Sequence, residues 1–301
     1  MKWIGYLMTV ITAGMLLSCS PVIHTSKTTA LSNNYCAPNI PYLDEKVETG
    51  TPDTVVSSSL SEHDYILATH IGLVSLISQF SRVDATPLER LEAKQKMTDK
   101  ILLFQTEINA VAAELDCNGE RFDQLGKFLG DRNDKINNRL TVASIAIGAA
   151  ITLSTAFIKN NDANTAISIG GGITGAGLGF LLLKPRGKKI ALEINRSLLK
   201  NVWWENNDNT AFPPALWRVM NEKSFSNDGE LSLIQTLRKR WLIFVFNNQV
   251  NVSDEQLYFG SGGNFSEEGI QHLSDMNNEL QASVRTVQQD LRSLLAAINR
   301  L

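Results

Sequence analysis

Two stretches of eighteen residues without a single charge set the strongest constraint on this chain. Residues 141–158 read TVASIAIGAAITLSTAFI, and residues 166–183 read AISIGGGITGAGLGFLLL. The seven residues between them, 159–165, are polar and carry Lys159 and Asp162. As a helix, each stretch is about 27 Å long, at the lower edge of what crosses a bilayer's hydrocarbon. Such a segment must be covered by lipid or by protein. Three arrangements meet that need: a helical hairpin in a membrane, a buried hairpin in the core of a soluble bundle, or a pair of strands. Length and the absence of charge favour the first, a hydrophobic glycine-rich hairpin over residues 141–183.

The second stretch adds a packing signal. Gly171, Gly175 and Gly179 stand four apart, with Gly170, Gly172 and Gly177 beside them. Glycines at this spacing line one side of a helix and let another backbone come close, which matters most where no hydrophobic drive brings helices together. In water the same glycines cost about 1 kcal/mol each relative to alanine. The pattern resembles the glycine-zipper segments of several bacterial envelope lipoproteins and pore-associated proteins. The resemblance implies close helix packing and no particular activity.

The N-terminus reads as an export signal. Lys2 supplies the positive start, the stretch from Trp3 to Leu17 is apolar, and Leu16-Leu17-Ser18-Cys19 ends it. Those last four residues resemble the lipobox of bacterial lipoproteins, although Leu17 stands where a smaller residue is more usual. The resemblance implies that residues 1–18 are removed and that Cys19 carries acyl chains such as palmitate, making membrane lipid a partner. Ser20 follows where some family members carry an aspartate that retains them at the inner membrane, so the outer membrane is favoured. The implied location is the bacterial cell envelope, periplasmic or surface exposed. Lys135, Arg139, Lys184, Arg186, Lys188 and Lys189 flank the hairpin. The positive-inside rule would put them in the cytoplasm, whereas a lipidated Cys19 puts them outside it. The lipobox outweighs short basic flanks, which also suit anionic headgroups.

Around the hairpin the periodicity is helical, and the expected fold class is all-α: an elongated helical bundle, or coiled-coil-like rods, flanking the hairpin. Residues 19–60, rich in Ser, Thr, Asn and Pro, read as a lipidated N-terminus and tether. Residues 61–140 form an N-terminal helical region. Ser61 caps one helix running to about Val83, and Thr86-Pro87-Leu88-Glu89 forms a capping box for the next. Asn118-Gly119 is expected to break that rod. Residues 184–301 form a C-terminal helical region, with a helix over 190–206, a flexible glycine-rich approach over 257–265, and a heptad-patterned helix from Ser266. That last helix is long enough to pair with the rod over 87–139.

Chemistry is sparse. Cys36 and Cys117 could form a disulfide in an exported chain or stay as separate thiols. The four histidines, His24, His63, His70 and His272, lack a metal-ligand pattern, and no nucleophile, paired-carboxylate or cofactor signature appears. A net charge of -3 argues against nucleic acid. No cofactor, metal or small-molecule substrate is expected, and no enzyme. The favoured function is a non-enzymatic lipoprotein acting as scaffold or oligomeric component of a membrane-associated assembly, through self-association or other envelope proteins. Two alternatives stand beside it. The layout over 87–301 resembles that of helical pore-forming toxins, which implies a pore or lysis protein that inserts its hairpin. The C-terminal third could instead be a periplasmic or surface protein-binding module.

Overall fold

The computed structural model describes residues 22–23, 35–38, 42, 54–157, 187–207, 210–227 and 229–301. Cys19, the signal segment, the polar tip and the second apolar stretch with Gly171, Gly175 and Gly179 lie outside the described residues. The described chain is mainly helical, with one small sheet. Its elements are β1 (Val22–Ile23), α1 (Thr54–Ser59), α2 (Glu62–His70), α3 (Val74–Ser81), α4 (Pro87–Phe157), β2 (Lys189–Glu193), α5 (Leu198–Trp204), α6 (Pro214–Asn221), α7 (Leu233–Phe244), α8 (Val252–Phe259), β3 (Gly262–Phe265) and α9 (Glu267–Ile298). They fall into two compact units, to both of which α4 and α9 contribute.

The larger unit comprises Ser32–Asp123, Glu193–Gly262 and Gln271–Leu301. Here α4 and α9 run antiparallel. Met97, Ile101, Phe104, Ile108, Val111 and Leu115 of α4 are buried, as are Leu273, Met276, Leu280, Val284, Val287 and Leu291 of α9. Polar pairs recur along this seam. Gln288 donates to Asn109 (2.6 Å), Gln281 to Asp116 (2.8 Å) and Ser274 to Asp123 (2.6 Å). Each step of seven residues up α4 is matched by seven down α9, the heptad of a coiled coil. Gln281 and Ser274 are buried, so a slip by part of a heptad would leave them unpaired, whereas the exposed Gln288–Asn109 pair would find water.

Asn118-Gly119 does not end the helix, contrary to expectation. A Cβ on Gly119 would lie 2.9 Å from Asn278 Oδ1, so this glycine admits a close neighbour within a continuous helix. The opposite correction applies upstream. The expected helix from Ser61 to Val83 is two helices, parted at Gly72, whose φ of +69° suits glycine. Ser61 does cap α2, accepting from the Asp64 N–H. The Thr86–Glu89 capping box closes the start of α4: Thr86 Oγ1 accepts the Glu89 N–H, and Glu89 Oε2 accepts the Thr86 N–H.

Two attachments hold the N-terminal segment and the mid-chain to α4 in this unit. Cys36 and Cys117 are joined as a disulfide, with Cα atoms 5.7 Å apart. Arg196 forks onto buried Glu114 at 2.8 and 3.0 Å and also donates to the Ala211 carbonyl. Tyr42 packs nearby. Burial, with Glu114 adding to it, pushes its phenol up to about 12. Residues 54–59, expected within the tether, are helical and carry buried Val56. The aromatic core lies between α5, α7 and α8, where Trp203 stacks on Phe259 with centroids 4.4 Å apart and Trp241 is buried.

The smaller unit comprises Met1–Leu31, Gln124–Leu192 and Gly263–Ile270. Its core is built from Leu125, Leu129, Ile190, Leu192, Phe265 and Ile270. A three-stranded sheet in the order β1-β2-β3 stands here, with β1 parallel to β2: Val22 opposite Lys189 and Ile23 opposite Ile190. The helix expected over 190–206 is therefore a strand followed by the short α5. Ile190 and Leu192 are buried and their neighbours are not, the alternation of a strand. The stretch over 257–265 is likewise no flexible approach: α8 runs through Phe259 and β3 follows at Gly262.

Candidate functional site: an uncovered apolar helix end

The turns of α4 before its apolar end carry three cations, with Asp131 and Asp134 beside them. Arg132, Lys135 and Arg139 stand three and four apart and so share a face. From Thr141 onward the helix carries no charge. Among the described residues nothing covers it: no residue from 141 to 153 is buried. Val142 and Ile145 are each 66% exposed and Leu153 is 60% exposed. The helix contains an eighteen-residue window of mean hydropathy 1.3, none of it buried, long and apolar enough to cross a membrane. Gly148 marks the contrast with the packed part of the chain. A Cβ there would meet nothing within 4 Å, whereas one at Gly130 would lie 2.8 Å from Glu267 Oε1.

Three hydroxyls of this end bond back to the helix itself. Thr141 donates to the Asn137 carbonyl, Ser144 to that of Thr141, and Thr152 to that of Gly148. Each hydroxyl finds its partner one turn back on the same helix and needs no water, the arrangement that suits hydrocarbon. Residues 141–157 are helical rather than paired strands, and within this chain none of residues 141–153 is buried.

A polar junction lies below this end, in the same unit. Asn133 of α4 donates to Glu267 Oε2 at the start of α9 (2.9 Å) and accepts the backbone N–H of Lys188 (2.8 Å), just where the chain re-enters the described residues. Gly187 passes so close that a Cβ would lie 3.0 Å from Asn133 Nδ2. Neither Asn133 nor the sheet beside it was expected from sequence. The signals available were the spacing of two in Ile190, Leu192 and Ile194, and an asparagine in a long helix near a basic run.

The other candidate residues do not assemble a reacting centre. A cleft of about 390 Å³ in the larger unit is lined in part by Phe225, Thr236, Arg240, Glu279, Thr286 and Asp290. Its charges are matched to neighbours: Arg240 pairs with Glu279, which also accepts from Trp241 Nε1, and Asp290 meets His63 at 2.9 Å. Burial raises the Asp290 carboxyl, and His63 opposes the shift. His70 lies 3.7 Å from Glu222, away from that pair. Among the described residues no group of three His, Cys, Asp or Glu could hold a metal ion. The basic run Arg238-Lys239-Arg240 is largely spent internally, since Arg238 pairs with Glu205 over the Trp203 ring and Arg240 with Glu279.

No family model matches the chain, and neither the curated proteins nor the solved structures searched contain a match.

Proposed function

We propose that this protein is a non-enzymatic lipoprotein of the bacterial cell envelope, a scaffold or oligomeric component that enters the bilayer through the apolar end of α4. One observation supports the reading: a charge-free helix end with no buried residue from 141 to 153, in which the hydroxyls of Thr141, Ser144 and Thr152 bond back to the helix's own backbone. Burying a Val, Leu or Ile side chain from water is worth about 1.5–3 kcal/mol. Leaving Val142, Ile145 and Leu153 in water forgoes several kcal/mol that lipid would supply. The charge-free stretch over 166–183 supplies a second span by sequence, and Cys19 the lipid. In pore-forming helical proteins the inserting hairpin is sheltered before use. The exposure of residues 141–153 favours standing insertion over that alternative.

Membrane fractionation with a high-pH carbonate wash, applied to wild type and Cys19→Ala, tests this. Both are expected to stay with the membrane, and only wild type to take up labelled fatty acid. Release of Cys19→Ala by the wash would remove the inserted helix from the proposal. Absence of label on wild type would remove the lipid.

A further inference from the structure

The cleft of the larger unit has two unlike walls. One is a stripe of oxygen acceptors on α9. Glu279, Ser283, Thr286 and Asp290 are spaced four, three and four apart, so they share one helix face over about 16 Å. The other wall is apolar, built from Leu233 and Leu237 of α7 and from Phe225. His63 of α2 lies against the Phe225 ring, with centroids 4.5 Å apart, and meets Asp290 at 2.9 Å. The volume of about 390 Å³ is of ligand size.

The hydroxyl protons of the acceptor wall are already spent. Ser283 donates to the Glu279 carbonyl (3.0 Å) and Thr286 to that of Ser283 (2.6 Å). Both side-chain oxygens are left with lone pairs only. Glu279 is taken at both oxygens, by Arg240 and by Trp241 Nε1. Asp290 is bonded through Oδ1 to His63, which leaves Oδ2 to accept. Burial raises its carboxyl, and a cation beside it would reverse that shift. Across the cleft, Thr236 Oγ1 of α7 is buried without a hydrogen-bond partner among the described residues. Such a hydroxyl costs stability that a bonded ligand returns.

Charge sets the sign of the ligand. The described lining holds one cation, Arg240, against two carboxylates, Glu279 and Asp290. Arg240 and Glu279 offset each other, so with His63 neutral the charge of Asp290 is left over and an anion is disfavoured. A guanidinium prefers to fork onto both oxygens of one carboxylate, and neither carboxylate here has both to give. An ammonium is a compact head whose three donors can go to single oxygens on different residues.

We propose that this cleft binds a primary alkylammonium, with its head against Asp290 and the α9 hydroxyl oxygens and its methylene stem along Phe225, Leu233 and Leu237. A lysine side chain of a partner protein and a free small amine carry this same chemistry. The site involves the larger unit alone and does not depend on α4 entering a membrane.

Titration calorimetry on the full chain in detergent, at fixed ionic strength, tests this with two probes, n-butylammonium and Nα-acetyl-lysine methylamide. Binding of both would place recognition in head and stem. Binding of the lysine amide alone would assign the site to a partner's lysine, and of n-butylammonium alone to a free amine. Butanol and butyrate, which keep the stem and lose the cation, should bind at least tenfold more weakly. Asp290→Asn keeps the shape of the side chain and removes its charge, and should weaken binding about 10- to 100-fold. Thr236→Val should raise the thermal midpoint, because an unpaired buried hydroxyl is lost, and still weaken binding several-fold; a purely structural role would move the midpoint alone. The proposal is overturned if neither amine binds, if butanol or a neutral polyol such as glycerol binds as tightly as the amines, or if either substitution leaves affinity at the wild-type value in a folded chain.

Discussion

Gly148 offers a direct way to tell lipid from water around α4, because the two environments give one substitution opposite signs. A Cβ at this position meets nothing within 4 Å, so Gly148→Arg adds no clash. In water the exchange improves helix propensity by about 0.8 kcal/mol. In a bilayer, an arginine near the middle of a span costs about 2.5–3.5 kcal/mol on insertion scales, and Gly148 lies within two residues of the midpoint of the 141–158 stretch. On the same scale Val142, Ile145, Ile147, Ile151 and Leu153 return about 0.3–0.6 kcal/mol each, roughly 2 kcal/mol together. One arginine therefore offsets all five, and membrane partition should fall about 60- to 300-fold. The assay is the carbonate-resistant fraction in a Cys19→Ala background, so that the lipid does not mask the change, with Gly148→Ala as the control. Unchanged partition of Gly148→Arg, alongside a higher helix content, would refute membrane burial of α4.

Three further outcomes are expected. Removing the disulfide with Cys36→Ala/Cys117→Ala frees a loop of 81 residues, worth about 4.5 kcal/mol by chain entropy; urea midpoints with and without reductant should separate in wild type and coincide in the variant. Gly260→Ala would place a Cβ 2.4 Å from the Gln256 carbonyl oxygen and should cost about 1–3 kcal/mol, read by thermal unfolding; a silent change would show that the α8–β3 turn relaxes freely. Burial holds His70 below its usual pKa, with Arg218 adding to the shift and Glu222 opposing it. The unfolded chain then takes up a proton near pH 6.5 that the folded chain refuses, so this contribution to stability is complete above pH 6.5 and is lost as pH falls below it. His70→Gln should flatten the dependence of the urea midpoint on pH between 7 and 5, and an unaltered slope would assign it to other groups.

Helix starts were the most legible feature of the sequence. Ser61, Thr86 with Glu89, and Ser266 lie where the chain bonds them, because an N-cap acts within three residues and leaves its mark in the local order. The pairing of the heptad-patterned α9 with α4 was readable for a similar reason: the pattern records a face, and the face needs a partner. Errors arose where a residue's meaning depended on a distant neighbour. Gly119 looks like a helix stop until Asn278 is seen opposite it. The expected helix over 190–206 takes in most of β2 because Ile190, Leu192 and Ile194 fit either period over so short a run, and only β1, more than 160 residues away in sequence, settles the choice. At the candidate site the apolar end of α4 was plain from its lack of charge. Asn133 was not, since an exposed-looking asparagine in a polar stretch carries no mark of the backbone N–H it accepts 55 residues later.

The polar pairs along the larger unit's seam repeat every seven residues on both helices. A displacement of α9 by one whole heptad, about 10 Å of axial travel, would set Gln281 against Asn109 and Ser274 against Asp116. Each of these is again a donor facing an acceptor. These polar pairs alone thus forbid small slips and tolerate a full step, like a rack whose teeth are all alike. What singles out one tooth lies outside the pairs, beginning with Gly119, whose place against Asn278 a slipped helix would give to Ala112. In this unit the Glu114–Arg196 fork and the Cys36–Cys117 bond tie α4, by residues outside the repeat, to segments other than α9. Reduction of that one bond would therefore change more than stability, by removing one of the references against which the helix pair is indexed.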